Sequence, residues 1–301
     1  MEWERAKTYI IIFFVLLNAG LGFLLFVEQR RYTMTPAQER TILAVLQQNH
    51  IIMDTRIVRQ SPPMRTLNVS GHYYNIGVLL DIFFDGNAIQ EESLHHQYLF
   101  RCEAGGQLTI SNGFIGYENL YGFRQWGQMG DIGIEGRISQ SVATSLANSF
   151  VKVYFPDFHI DVVFDDYDEH DGEYTHVGVR VIYLQQYRGR PIHSNFIELL
   201  VTPVGITQIE MQFGRVYEHI GMSRMIFAPD EVLLTFAQRV NALDLNEENL
   251  MVITHMDLVY LQENASDSIG SMYPAEPFYR IFIKGHDVPF LINAFTNVLL
   301  E

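Results

Sequence analysis

The sequence predicts an α+β fold: one N-terminal transmembrane helix, followed by a mostly antiparallel β ectodomain with about three packed helices. Three observations carry this. Residues 8–27 (TYIIIFFVLLNAGLGFLLFV) form an unbroken apolar run. Three later segments place apolar residues at helical spacing behind a recognisable N-terminal signal. Most of the remaining chain alternates apolar and polar residues between turn signals, the pattern of half-buried strands.

The apolar run has the roughly 20 residues that an α-helix needs to cross a bilayer core of about 30 Å. No residue in it is charged, and fourteen are Leu, Ile, Phe or Val. At about −0.3 to −0.6 kcal/mol each, they favour insertion by roughly 4 to 8 kcal/mol, an upper bound because flanking positions count less. A cleaved signal peptide would have a shorter apolar core ending in small residues. Here Val27 is followed by Glu28, Gln29, Arg30 and Arg31, so an uncleaved anchor is expected. Arg5 and Lys7 at one end nearly balance Arg30 and Arg31 at the other, and charge alone leaves the orientation open.

The expected organisation is a flank at 1–7, the helix at 8–27, a juxtamembrane linker at 28–34, an α+β part at 35–165, an acidic linker at 166–176, and an antiparallel meander with one helix at 177–301. The N-terminal flank carries two acids and two bases, so the net charge of −15 lies wholly beyond the anchor. Such a charge repels phosphate backbones and anionic headgroups, which argues against nucleic acid as a partner. Cys102 is the only cysteine, so no intramolecular disulfide can form. Its strand-like surroundings fit a small core residue better than a nucleophile.

Thr35 as N-cap, Pro36 at the first helical position and Gln38 closing a capping box predict a helix running to about Asn49. Its Ile42, Leu43 and Leu46 share one face. Residues 51–58, 77–84 and 97–103 read as strands, with Asp85-Gly86 and Gly105-Gly106 as turns. The nine glycines of 105–136 stand among Phe114, Tyr117, Tyr121, Phe123 and Trp126. Without a phosphate-loop spacing they predict turns and bulges in antiparallel strands. Val142, Leu146 and Phe150 predict a second helix capped by Ser139 and ending before Pro156.

The acidic run 165–173 fails the calcium-loop register and reads as a solvated loop. Val177, Val179, Val181 and Tyr183 then alternate along a strand, Arg188-Gly189-Arg190 turns, 196–201 returns, and Ile209, Met211 and Phe213 alternate again. Pro229, with Asp230 and Glu231 in the first turn, starts the third helix. Thr254 to Tyr260, then Tyr279, Ile281 and Ile283, and after Gly285-His286-Asp287 residues 288–294, complete the strands.

No G-x-S-x-G, H-E-x-x-H or paired C-x-x-C motif occurs. Adjacent His95 and His96 would point to opposite faces of a strand, and His170 and His176 flank the acidic run, so scattered surface histidine is expected rather than a metal site. No catalytic residue, cofactor or metal is expected. The favoured class is a non-enzymatic protein whose partners are proteins. The competing class is a membrane-tethered enzyme or inhibitor acting on the cell wall.

The opening MEWERAKT, running straight into the apolar helix, resembles the N-terminus of the YycI family. The closing stretch from Glu276-Pro277-Phe278-Tyr279-Arg280-Ile281 to Asn293-Ala294-Phe295-Thr296 resembles that family's C-terminus and the final strands of PepSY-type domains. The resemblance implies a single-pass regulator of a Gram-positive envelope-sensing histidine kinase of the YycG (WalK) type, in complex with a YycH-like single-pass protein. It also implies a cytoplasmic N-terminus and an extracytoplasmic main domain. In lipid, helices associate through small residues and polar side chains. Asn18 and Gly22, four apart with Ala19 adjoining, are therefore the expected partner-binding residues within the membrane.

Overall fold

The computed structural model describes residues 2–72, 74–85, 89–94, 97–103, 105–111, 113–119, 137–170, 173–242, 250–262, 272–286 and 288–300. Their helices are α1 (Glu2–Arg31), α2 (Pro36–Gln48), α3 (Ile76–Phe84), α4 (Gln140–Tyr154) and α5 (Pro229–Ala242). The strands are β1 (Ile51–Met53), β2 (Met64–His72), β3 (Ile89–Leu94), β4 (Gln97–Arg101), β5 (Gly106–Ser111), β6 (Phe114–Asn119) and β7 (Phe158–His170). They continue with β8 (Glu173–Tyr187), β9 (Arg190–Thr202), β10 (Gly205–Gln212), β11 (Gly214–Arg224), β12 (Met251–Leu261), β13 (Met272–Ile283) and β14 (Phe290–Asn293). The result is the expected α+β fold with a large, mostly antiparallel sheet behind an apolar N-terminal helix.

The chain divides into two compact units. One contains residues 1–65, 222–258 and 277–301, the other 66–221 and 259–276. The four crossing points fall inside β2, β11, β12 and β13. The expected linker at 166–176 is not among them. That segment is the end of β7 and the start of β8, paired from Asp166↔Gly178 to His170↔Glu173. The ladder's pairing satisfies the backbone groups that a solvated loop would have left to water.

In the second unit an antiparallel run, β7-β8-β9-β10-β6-β5-β4-β3, carries α3 and α4 on one face. Alternate residues make that face. Val179, Val181 and Tyr183 from β8, Ile197 and Leu199 from β9, and Ile209 and Met211 from β10 are buried against Ala143, Ala147 and Phe150 of α4. Phe83 of α3 stacks on Tyr117 of β6 at 4.6 Å and lies 6.3 Å from Phe150. Small residues on α4 let the helix lie close to the sheet, and Phe150 fills the volume beside them. Arg188 and Gly189 close the β8–β9 hairpin with φ of 51° and 76°. Positive φ at both central residues is the turn whose twist matches that of the paired strands.

The structure corrects two further expectations. Residues 77–84, expected as a strand, are helical. The Asn75 side chain accepts from the backbone of Gly77 and Val78, and Asp85 ends the helix in the left-handed conformation. A continuous apolar run has no periodicity to distinguish helix from strand, and here the cap decides. The expected strand at 51–58 is only Ile51–Met53, paired parallel with β12. β2, β3, β7 and β11 had not been anticipated. Gly86, Tyr121, Phe123, Trp126, His95, His96 and Asp287 lie outside the described residues, as do Asp171 and Gly172.

In the first unit α2 opens with the predicted capping box: Thr35 and Gln38 satisfy each other's backbone N–H groups. α2 packs on α5 and β1. Tyr279, fully buried on β13, donates to the Phe227 carbonyl at 2.9 Å, and Phe236 of α5 meets Phe290 of β14 edge to face at 5.4 Å. Among the apolar residues lies Arg280, 1 % exposed, whose Nε and Nη2 donate to Asp257 at 3.0 and 2.8 Å. Burial alone would raise the Asp257 pKa, but hydrogen bonds from His255 and Arg280 outweigh it and hold the carboxyl below its ordinary value.

Asp257→Ala leaves the Arg280 guanidinium buried without its carboxylate and should cost about 3–5 kcal/mol in urea unfolding, whereas joint replacement by Leu and Met should cost far less. The Asp257 contribution is present above the unfolded carboxyl pKa of about 3.9 and is lost as pH falls through the lower folded value. The wild-type advantage over Asp257→Asn should therefore shrink on acidification.

Candidate functional site

Two surfaces present chemistry outwards. The first is α1, whose stretch Lys7–Leu24 is long and apolar enough to cross a membrane and is not buried against the rest of the chain. Asn18, Ala19 and Gly22 are all exposed on it. The Asn18 amide donates to the Phe14 carbonyl at 2.9 Å, so the helix itself uses one of its two amide protons. A Cβ built on Gly20 or Gly22 would meet nothing within 4 Å. The helix thus brings Asn18 and Gly22 to one face, as the four-residue spacing predicts.

The second surface is the sheet face opposite α3 and α4. Period two sends Arg180, Glu198, Glu210 and Glu118 there, from β8, β9, β10 and β6. Arg180 is the hub: its Nε donates to Asp166 at 2.9 Å and its Nη1 to Glu198 at 2.5 Å. Burial works against the Arg180 charge, but these two hydrogen bonds outweigh it and raise its pKa. Glu198 stands directly opposite Glu210 in the β9–β10 register. Burial raises the Glu210 pKa, Glu198 and Glu118 add to the rise, and Arg180 opposes it.

Beside Glu210, Gly116 contributes no side chain, and a shallow hollow opens between Thr109, Phe114, Glu118, Gln208 and Glu210. The arrangement can receive a cationic or amide-bearing group. Six strands, β5 to β10, assemble it, and of its charged residues only Asp166, within the acidic run, stands out in the sequence. The available signal was a polar residue at each outward position of otherwise apolar strands: Arg180 between Val179 and Val181, and Glu198 between Ile197 and Leu199.

His176 is a correction. Expected on a surface loop, its side chain is 6 % exposed, with Nε2 3.7 Å from Asp165 and the ring edge-on to Tyr167 at 5.5 Å. The β7–β8 pairing encloses it. Cys102 is a free thiol just beyond β4, half-buried beside the packing of Phe84 and Tyr117. Burial pushes the Tyr117 hydroxyl up to about 12. Among the described residues no three His, Cys, Asp or Glu side chains cluster as a metal site would.

No family model matches the sequence, and no curated protein does. The chain is similar in structure to an uncharacterised protein from Eubacterium rectale, with 11 % identity, a TM-score of 0.55, and coverage of 83 % of this chain and 90 % of that one. It also aligns with the C-terminal domain of Bacillus megaterium YpeB at 10 % identity and a TM-score of 0.38, over 77 % of this chain and 97 % of that one. The first likeness is one of fold. The class thus defined is an α+β domain of this architecture carried behind an apolar helix able to span a membrane.

The raised Glu210 pKa has a signed consequence. A carboxyl whose folded pKa exceeds its unfolded one favours the folded state most below the unfolded value of about 4.3 and loses that contribution as pH rises through the folded value. Glu210→Gln should therefore be more stable than the parent at pH 7, with the difference closing below pH of about 4, as read from melting temperatures across pH.

Proposed function

We propose that this chain is a non-enzymatic, single-pass membrane regulator whose targets are proteins. It modulates an envelope-sensing two-component histidine kinase of the YycG (WalK) type through contacts in the membrane and outside it, together with a YycH-like partner. The N-terminus is cytoplasmic and the α+β domain extracytoplasmic. The observation that carries this reading is the MEWERAKT opening joined directly to the apolar helix, the most specific part of the resemblance to the YycI family. The net charge of −15, all beyond the anchor, supports a protein partner over nucleic acid or an anionic membrane surface.

Within the membrane, recognition falls to Asn18, Ala19 and Gly22. There is no hydrophobic drive between helices in lipid, so close backbone approach at small residues and interhelical hydrogen bonds supply the association. Each such hydrogen bond averages only about 0.6 kcal/mol, so a face that combines one with a glycine approach is needed.

A reporter active only outside the cytoplasm, fused after Glu301, should give signal, and signal from a cytoplasm-only reporter there would overturn the orientation. Replacing Asn18, Ala19 and Gly22 together by Leu keeps the helix apolar, and Leu at Gly22 meets no atom of this chain within 4 Å of its Cβ. The triple variant should still insert but lose co-purification with the kinase and shift output from its target promoters. Unchanged complex and output would confine recognition to the domain beyond the anchor.

A further inference from the structure

The charge of the chain is unevenly spread. Residues 28–65 hold six arginines against three acids, whereas residues 66–301 hold 12 basic and 30 acidic residues. Exposed charges are screened over about 8 Å at physiological ionic strength, so what a surface attracts is decided by the charges nearest to it. The net charge of −15 therefore argues against an anionic membrane as a partner for residues 66–301, and not for the segment beside the apolar helix.

The fold brings arginines from two stretches of this segment to the exit of α1, which ends on Arg30 and Arg31. The Thr33 N–H donates to the Arg30 carbonyl at 3.3 Å, and Thr33 forms an antiparallel bridge with Gln60. On either side of that bridge the Ser61 N–H donates to the Tyr32 carbonyl at 2.9 Å and the Met34 N–H to the Arg59 carbonyl at 2.8 Å. Met34 and Ile57 are buried, and Thr35 already caps α2. Glu39 holds the Arg59 guanidinium at 2.7 Å, with the Arg59 side chain still 57 % exposed. Arg31 and Arg56 are exposed and form no ion pair among the described residues. At 1.5 Å per residue Arg31 lies about 6 Å beyond Val27, and Thr33, with Gln60 beside it, at most about 13 Å. The headgroup layer on each side of a bilayer is about 5–8 Å thick, and the long arginine stem lets the charged end reach back towards it.

We propose that Arg31, Arg56 and Arg59 form a docking surface for the phosphates of anionic lipid headgroups, in the leaflet where α1 ends. The planar guanidinium fork matches phosphate oxygens, and arginine is the only basic residue in 28–65. The acid-rich remainder is repelled by the same lipids, which confines the contact to the exit of the helix. This inference rests on the single-pass reading, and on neither the kinase nor the orientation of the chain.

The test uses the full chain in nanodiscs of phosphatidylcholine alone or with one quarter phosphatidylglycerol, and reads amide hydrogen exchange over residues 54–61 by mass spectrometry. At about 50 mM salt the anionic lipid should slow exchange there by about tenfold, and about 0.5 M sodium chloride should remove the slowing. Arg31→Gln with Arg56→Gln should lose most of it, Arg56→Gln alone part of it, and Lys152→Gln on α4 none. Neither Arg31 nor Arg56 has an ion-pair partner to lose, so both variants should exchange like the parent in phosphatidylcholine. Equal exchange in the two lipids, or slowing that survives the salt or the double substitution, would overturn the docking surface and leave the single-pass reading standing. Slowing by glycerol phosphate added to phosphatidylcholine discs would assign a soluble anion instead and overturn the headgroup site. A chain that fails to enter the discs at all would overturn the single-pass reading and this surface with it.

Discussion

One-sided burial of the antiparallel sheet in the second unit is the constraint from which most of its features follow. Side chains alternate between faces, so every second residue of β8, β9 and β10 must be apolar to pack under α3 and α4. The intervening positions are freed from packing. Arg180, Glu198 and Glu210 occupy those positions, and the register alone brings them together from three strands. A slip of one residue would bury this charged set and expose Val179, Val181, Ile197 and Leu199, so the same packing that stabilises the sheet fixes the outward surface.

The two arginine networks show how setting changes the role of similar chemistry. Arg280 is enclosed, shares its carboxylate partner with His255 and sits among aromatic and aliphatic residues. Desolvation there is large, and the pair is best understood as a constraint on how β12 and β13 align, since breaking it costs more than never having it. Arg180 is a quarter exposed and balances several carboxylates on an open face. There solvent screens the attraction, and the network's consequence is a surface whose charge depends on pH and on whatever approaches it.

The apolar N-terminal helix obeys different rules. Lys7–Leu24 has no face buried by the rest of the chain. In a bilayer its leucines and phenylalanines do not distinguish one neighbour from another, because lipid tails are equally apolar. Under the proposed function, discrimination there would rest on the few groups that differ from bulky hydrocarbon, the Asn18 amide and the small residues Ala19 and Gly22. These residues contribute nothing to insertion that leucine would not do better.

The sequence by itself determined what local physics can specify. The capping box at Thr35 and Gln38, the Ser139 cap, the Pro229 start, the Arg188-Gly189 turn and the alternation along β8 all came through, because each is set by residues within a few positions of one another. The apolar length of the N-terminal helix was equally legible. What failed was what depends on distant partners. The acidic residues of β7 looked like a loop because their composition is polar, and the backbone ladder with β8, in which Arg180 also reaches Asp166, makes a strand of them. The run 77–84 was apolar throughout, so periodicity was silent and packing against β5 and β6 with the Asn75 cap chose the helix. The sheet-face network was invisible for the same reason: strands far apart in sequence place Asp166, Arg180, Glu198 and Glu210 side by side, and pairing order is decided by the burial of the whole sheet rather than by any one segment.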